Sequence, residues 1–285
     1  MPTEWNKKQL AINYDAGRPL DGEVIIRLFL QISNRVPLDN RTLLDAGCGT
    51  GRISIPLCKA FPSLKVVGID ISGDMIEVLK TRISSQRITN FKVLRSNLLE
   101  INYKDNFFDF SLISSVLHSI PDWKQVIKEV IRVTKKGGYL FLMSEQGDIY
   151  DIGLERVQSR GINLLEKFWG RYVALRYKYG MGSPERSQVG LKWELGEPTL
   201  TSYLEKEGYV ESKSSINIKW RKEFSIEESL GIIENRCWSS MFTEDSKKFD
   251  KLVRDMKGWV KENNISMQDA YFSDFTMNCA IIKLR

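Results

Sequence analysis

Glycine takes every second position in Asp45-Ala46-Gly47-Cys48-Gly49-Thr50-Gly51, directly after the apolar pair Leu43-Leu44. Without a Cβ, such a loop turns tightly and brings backbone N–H groups near a ligand that a side chain would hold off. Two carboxylates flank it. Asp45 lies beneath the loop, and Asp70 ends the next apolar run, Lys65-Val66-Val67-Gly68-Ile69. A carboxylate at that place can accept both hydroxyl protons of a ribose. Asn97-Leu98 follows a third apolar run and offers a side-chain carbonyl and a backbone N–H to an adenine edge. Ser114-Ser115 closes a fourth run with small side chains that leave room for a ligand. The G-x-G-x-G spacing misses the dinucleotide fingerprint by one position, so a nicotinamide dehydrogenase is a poor match.

These residues need elements that bring them to one edge. Thr42–Asp45, Lys65–Asp70, Phe91–Arg95, Phe108–Ser114 and Tyr139–Ser144 read as strands. Helical runs lie between most of them: one from the glycine loop to about Phe61, one capped by Ser72 with Met75, Ile76 and Leu79 inward, and one from Pro121-Asp122 ended by Lys135-Lys136-Gly137-Gly138. Strand and helix alternate about every 20–25 residues, which implies βαβ units and a parallel sheet whose carboxyl ends carry the site. A further helix, capped by Asp21, presents Val24, Ile25, Leu28, Phe29 and Ile32. Past Gln146 the pattern breaks. Leu164–Tyr177 is helical and aromatic, Thr199–Glu207 is a helix before a strand from Tyr209, and Ser225–Asn263 is a second helical insertion. Phe272–Lys283 reads as a last strand, antiparallel and reached by a hairpin-like return.

The glycine segment, Val66–Ser72, Phe108–His118 and Glu129–Gly138 together resemble the class I S-adenosylmethionine-dependent methyltransferases, in the small-molecule branch labelled methyltransferase type 11. The resemblance covers about residues 43–142. It implies a Rossmann-like, seven-stranded, mostly parallel sheet with the last strand antiparallel, plus helical cap insertions. It implies one methyltransferase domain over 1–285: an N-terminal lid (1–35), a cofactor core (36–145), a cap insertion (146–198), and the rest of the core (199–285) with a second insertion at 225–263. S-adenosyl-L-methionine is then the cofactor. Gly47, Cys48, Gly49 and Gly51 would approach its methionine part, Asp45 its ammonium and Asp70 its ribose. Ile71 and Met75 would pack on the adenine, Asn97 and Leu98 would read its edge, and Ser114 would leave room for the cofactor. The family commonly has Asp where this chain has Asn97. An N-terminal Tyr14 or Arg18 would meet the methionine carboxylate.

His118, the only histidine, and Glu145 are the candidates for a general base; a pocket-edge or structural role for His118 stays open. Phe168, Trp169, Tyr172 and Arg176, with Arg236, Trp238 and Phe242, either form the core of the cap or line an acceptor pocket. If some line a pocket, an apolar or planar acceptor with an anionic group fits best. The net charge of +6 comes from bases spread among acids, without a dense basic stripe. That favours a small-molecule acceptor over tRNA or another nucleic acid, the rival enzymatic reading. A non-catalytic cofactor-binding protein is the other alternative. Four scattered cysteines without a CxxC pair argue against zinc and disulfides and for a reducing cytoplasm. No apolar run reaches a membrane span, and the first 21 residues lack the apolar core of a signal peptide.

Overall fold

The computed structural model describes residues 8–15, 17–18, 20–147, 163–182, 200–237, 241 and 245–285. Seven strands form one sheet: β1 Thr42–Ala46, β2 Lys65–Asp70, β3 Phe91–Arg95, β4 Phe108–Ser114, β5 Thr134–Gly147, β6 Val210–Ser225 and β7 Ala270–Leu284. Their order is β3-β2-β1-β4-β5-β7-β6. Pairs among β1 to β5 are parallel, and β7 runs antiparallel to both β5 and β6. The strand order reverses between β1 and β4. A crevice opens at such a switch point, beyond the carboxyl ends of the strands.

The described helices are α1 Lys8–Asn13, α2 Gly22–Ser33, α3 Ser54–Ala60, α4 Gly73–Ser85, α5 Trp123–Val133, α6 Leu164–Lys178, α7 Leu200–Lys206, α8 Ile226–Glu234 and α9 Ser246–Glu262. None is long and apolar enough to cross a membrane. The caps follow the local chemistry. Asp21 accepts the Glu23 N–H at 3.1 Å to start α2, and Ser72 accepts the Met75 N–H at 3.3 Å to start α4. Pro56 falls in the first turn of α3, where its missing N–H costs no helical bond.

Helix α2 buries Val24, Ile25, Leu28, Phe29 and Ile32 against one face of the sheet, with Phe110, Phe141 and Met277. Each such side chain contributes about 1.5–3 kcal/mol of burial. Helices α5 and α7 cover the other face around Leu44, Ile113, Leu140 and Ile282. A third core joins α6, α8 and α9 to Tyr271 and Phe275 of β7.

Two expectations change in detail. The Lys135–Gly138 segment lies within β5 rather than between helix and strand. Phe108 pairs with Thr134 and Phe110 with Tyr139, so the extra residues bulge out, and Gly137 takes φ 71° to allow it. The return into β7 is a full-length hairpin: β6 and β7 pair from Val210–Leu284 to Ser225–Ala270. Helices α8 and α9 are inserted at its tip.

Candidate cofactor site

The glycine loop hangs from β2. The N–H groups of Gly47 and Cys48 donate to the Ile69 carbonyl at 2.8 and 3.1 Å, and the Gly51 N–H donates to the Cys48 carbonyl at 2.9 Å. Gly47, Gly49 and Gly51 have φ of 84°, 51° and 79°, the left-handed region that disfavours other residues. Space divides the three. A Cβ on Gly47 would lie 2.7 Å from Val116 Cγ2, and one on Gly51 would lie 2.4 Å from Leu79 Cδ1. A Cβ on Gly49 would meet nothing within 4 Å. The loop is therefore packed against the protein at its two ends and open at its middle. Cys48 turns into the core beside Gly68 and Phe91, and burial pushes its thiol well up, so it contributes backbone rather than a nucleophile.

Asp70 holds this loop from the end of β2. Its Oδ2 accepts the Gly49 N–H at 2.8 Å and its Oδ1 the Ser72 N–H at 2.9 Å. Burial raises its pKa against the pull of these N–H groups. The Ile71 N–H adds a third backbone hydrogen bond to this carboxylate. Asp45 lies beneath, 3% exposed, with the Ser54 hydroxyl donating to Oδ2 at 2.6 Å. Burial, helped by the charge of Asp70 and opposed by Ser54, pushes its carboxyl up to about 7. A cation beside it would favour the ionised form.

On the adenine side of the expected site, Ile71 is 45% exposed directly after Asp70. Met75 is instead buried under α1, packed with Ala11, and Leu98 is buried in the core, leaving its backbone at the strand end. Asn97 is exposed, but its Oδ1 already accepts the Leu99 N–H at 3.0 Å. The carbonyl expected to face adenine thus closes a local turn, an outcome a side chain that prefers its own backbone makes common.

Ser114 ends β4, half-buried, and Val116 packs under Gly47. His118 sits half-buried in the 3-10 turn Leu117–Ser119 that follows. Glu145 is different from the free carboxylate a base requires. Both terminal nitrogens of Arg52 donate to its Oε2 at 3.0 Å, within a pair that is 13% and 5% exposed. The carboxylate is thus held in a buried ion pair beside the glycine loop. Arg52 directly follows the last glycine of the loop.

The N-terminal segment reaches the same edge. The Arg18 guanidinium lies 4.2 Å from the Tyr14 ring centroid, and its buried Nε has no hydrogen-bond partner among the described residues. Between them, Asp15 takes the Thr50 hydroxyl at 2.8 Å and a nitrogen of Arg82. Sequence reasoning singled out Tyr14 and Arg18 and passed over Asp15 and Arg52, which carry no periodic or motif signal.

The cap aromatics form its core. Phe168, Trp169 and Tyr172 are at most 2% exposed, and Trp169 Nε1 donates to the Tyr271 hydroxyl at 2.7 Å. Arg176, also buried, donates to the carbonyls of Met181 and Gly182, so it fastens the turn after α6. Arg236 lies 4.3 Å from the Phe249 ring centroid. Trp238 and Phe242 lie outside the described residues, as do 148–162 and 183–199 of the first insertion.

A family model described as a methyltransferase domain matches residues 38–159. A demethylmenaquinone methyltransferase of Geobacillus sp. is 38% identical over 136 residues, 47% of this chain and 58% of the relative. One from Oceanobacillus iheyensis is 30% identical over 175 residues, 61% of this chain and 72% of the relative. The chain thus spans little more than half the length of the first of these. The crystal structure of the YcgJ protein from Bacillus subtilis shares the fold, with a TM-score of 0.53 at 15% identity over 93% of this chain and 100% of that one. The open cradle at Gly49, the buried carboxyl of Asp45 and the backbone-anchored Asp70 suit a nucleoside with a cationic tail. With these matches, they make the chain a member of the class I S-adenosylmethionine-dependent methyltransferase family.

Proposed function

We propose that this protein transfers a methyl group from S-adenosylmethionine to oxygen, nitrogen or carbon of a small-molecule acceptor by in-line displacement. The observation that carries this reading is the glycine loop: left-handed at three positions, open at Gly49, and fixed by the Asp70 carboxylate at the switch point of the sheet. S-adenosylmethionine supplies an electrophilic methyl group on a sulfonium. Gly47, Gly49 and Gly51 would border its methionine part, Asp45 its ammonium and Arg18 its carboxylate. Asp70 would hold the ribose, and Ile71 and the Asn97-Leu98 backbone would flank the adenine. Met75 would act through the packing of α1, and Ser114 would leave room at the end of β4.

We read the chain as one domain in which 1–35 covers the core and 146–198 and 225–263 form the cap. With Glu145 paired to Arg52, His118 is the remaining candidate to take a proton from a neutral acceptor. Much of the rate would come from placement and exclusion of water. The relatives' name points to a planar ring as acceptor. A shallow, open depression lined by Gln146, Lys219, Asp274 and Thr276 lies at the end of β5. Both Asp274 oxygens are taken by Arg221, which leaves Lys219 to favour an anionic or electron-rich edge.

Incubation with methyl-labelled S-adenosylmethionine and a panel of naphthoquinols, hydroxybenzoates and tRNA tests the proposal. Label in a small molecule is expected; label in tRNA alone would overturn the choice of acceptor. For the acceptor found, His118→Ala should lower kcat about 100-fold with cofactor affinity within twofold. An unchanged kcat would remove His118 from proton transfer.

A further inference from the structure

The glycine loop and the cap are joined by one short stretch, residues 13–15 and 17–18. On the loop side, Thr50 is 1% exposed, and its hydroxyl lies 2.8 and 3.0 Å from the two Asp15 oxygens. Arg82 of α4 closes the cluster, with one nitrogen donating both to Asp15 and, at 3.3 Å, to the Thr50 carbonyl. Thr50 stands between Gly49 and Gly51, where no other side chain of the loop offers a handle.

On the cap side, the Asn13 amide donates to Asn235 Oδ1 at 3.0 Å. Gly17 packs so closely on Cys237 that a Cβ there would lie 2.2 Å from the Cys237 Cβ. Asn235 and Cys237 follow directly on α8, whose Leu230 and Ile233 sit in the cap core with Phe249.

We propose that Asp15 is a positioning residue that clamps Thr50 and ties the conformation of the cofactor loop to the seating of the cap. This rests on the cofactor reading above. The clamp has two faces with distinct chemistry: a charged contact to Arg82 and Thr50, and a close-packed contact to Cys237. Loosening either face frees the loop, so the state of the cap sets cofactor affinity, and by linkage the cofactor biases the cap equally.

The test titrates S-adenosylhomocysteine into the full chain by calorimetry and follows amide hydrogen exchange at residues 49–51 without ligand. Asp15→Ala and Arg82→Gln should each weaken binding about tenfold, and the double variant by less than the product of the two, because both act on the one Asp15–Arg82–Thr50 cluster. Gly17→Ala, which alters no group facing the loop, should weaken it as well. Exchange at residues 49–51 should rise in all four variants. Wild-type affinity and exchange in these variants, additive losses, or a lowered melting temperature with unchanged loop exchange would overturn the clamp. Should the wild type bind no S-adenosylhomocysteine, the cofactor reading fails, and loop exchange in the ligand-free variants still decides the clamp.

Discussion

The cofactor half and the cap are built by opposite means. Around the glycine loop the chain works with backbone: left-handed glycines, N–H groups held by Asp70, and short side chains such as Ser54 and Thr50. In the cap it works with volume: Phe168, Trp169, Tyr172, Phe249 and Phe275 fill a core of their own. A backbone-built site tolerates few residue types, so its sequence pattern is narrow. A volume-built core tolerates many combinations of similar size, so its pattern says little about what the cap recognises.

Substitutions should expose that contrast. The largest effect is expected at Gly51→Ala, which adds a Cβ 2.4 Å from Leu79 at φ 79°. Strain and overpacking together should cost about 2–4 kcal/mol and abolish measurable cofactor binding. Chemical denaturation with calorimetry checks both, and retained affinity would show the loop to be more plastic than its geometry implies.

Asp45→Asn should separate stability from binding. Burial raises the Asp45 carboxyl to about 7, so the folded state prefers it protonated. That preference is a cost that grows as pH rises from the unfolded value near 4 towards about 7 and is constant above, of order a few kcal/mol. Asparagine still accepts from Ser54 but never ionises. The variant should therefore melt higher than wild type at pH 8, match it below pH 4, and bind S-adenosylhomocysteine about tenfold more weakly. Equal melting at pH 8 would contradict the buried-carboxyl account.

The smallest effect on the site should come from the cap. Trp169→Phe removes the hydrogen bond to Tyr271, whose hydroxyl also contacts Ser229 at 2.8 Å. A loss of about 1–2 kcal/mol in stability is expected, with cofactor affinity within twofold. A larger fall in affinity would mean that the packing of the cap core itself, and not only its contact with Gly17, sets the loop.

Much of this was legible beforehand because it depends on local rules. Strand alternation placed β2, β3 and β4 at their observed bounds, and Ser72 and Asp21 cap where short polar side chains should. The loop glycines declared themselves by spacing. What escaped was chemistry between distant residues. Arg52 and Glu145 are 93 positions apart, and Asp15 and Arg82 are 67 apart, so no window along the chain contains either pair. Asn97 shows the converse: the Leu99 N–H that its Oδ1 accepts is only two residues away, a local turn that the reading of Asn97 toward adenine left out. The bulge at Gly137 escaped because a lysine-glycine turn reads the same whether it ends a helix or interrupts a strand.

The central claim is that Asp70 and the loop it anchors form a cofactor site. Calorimetric titration of S-adenosylhomocysteine into the wild type and Asp70→Ala tests it most directly. The account predicts one-to-one binding by the wild type and a loss of at least about 100-fold in the variant, since the carboxylate that holds the Gly49 N–H and would take the ribose hydroxyls is removed. No binding by the wild type, or equal binding by the two proteins, would contradict it.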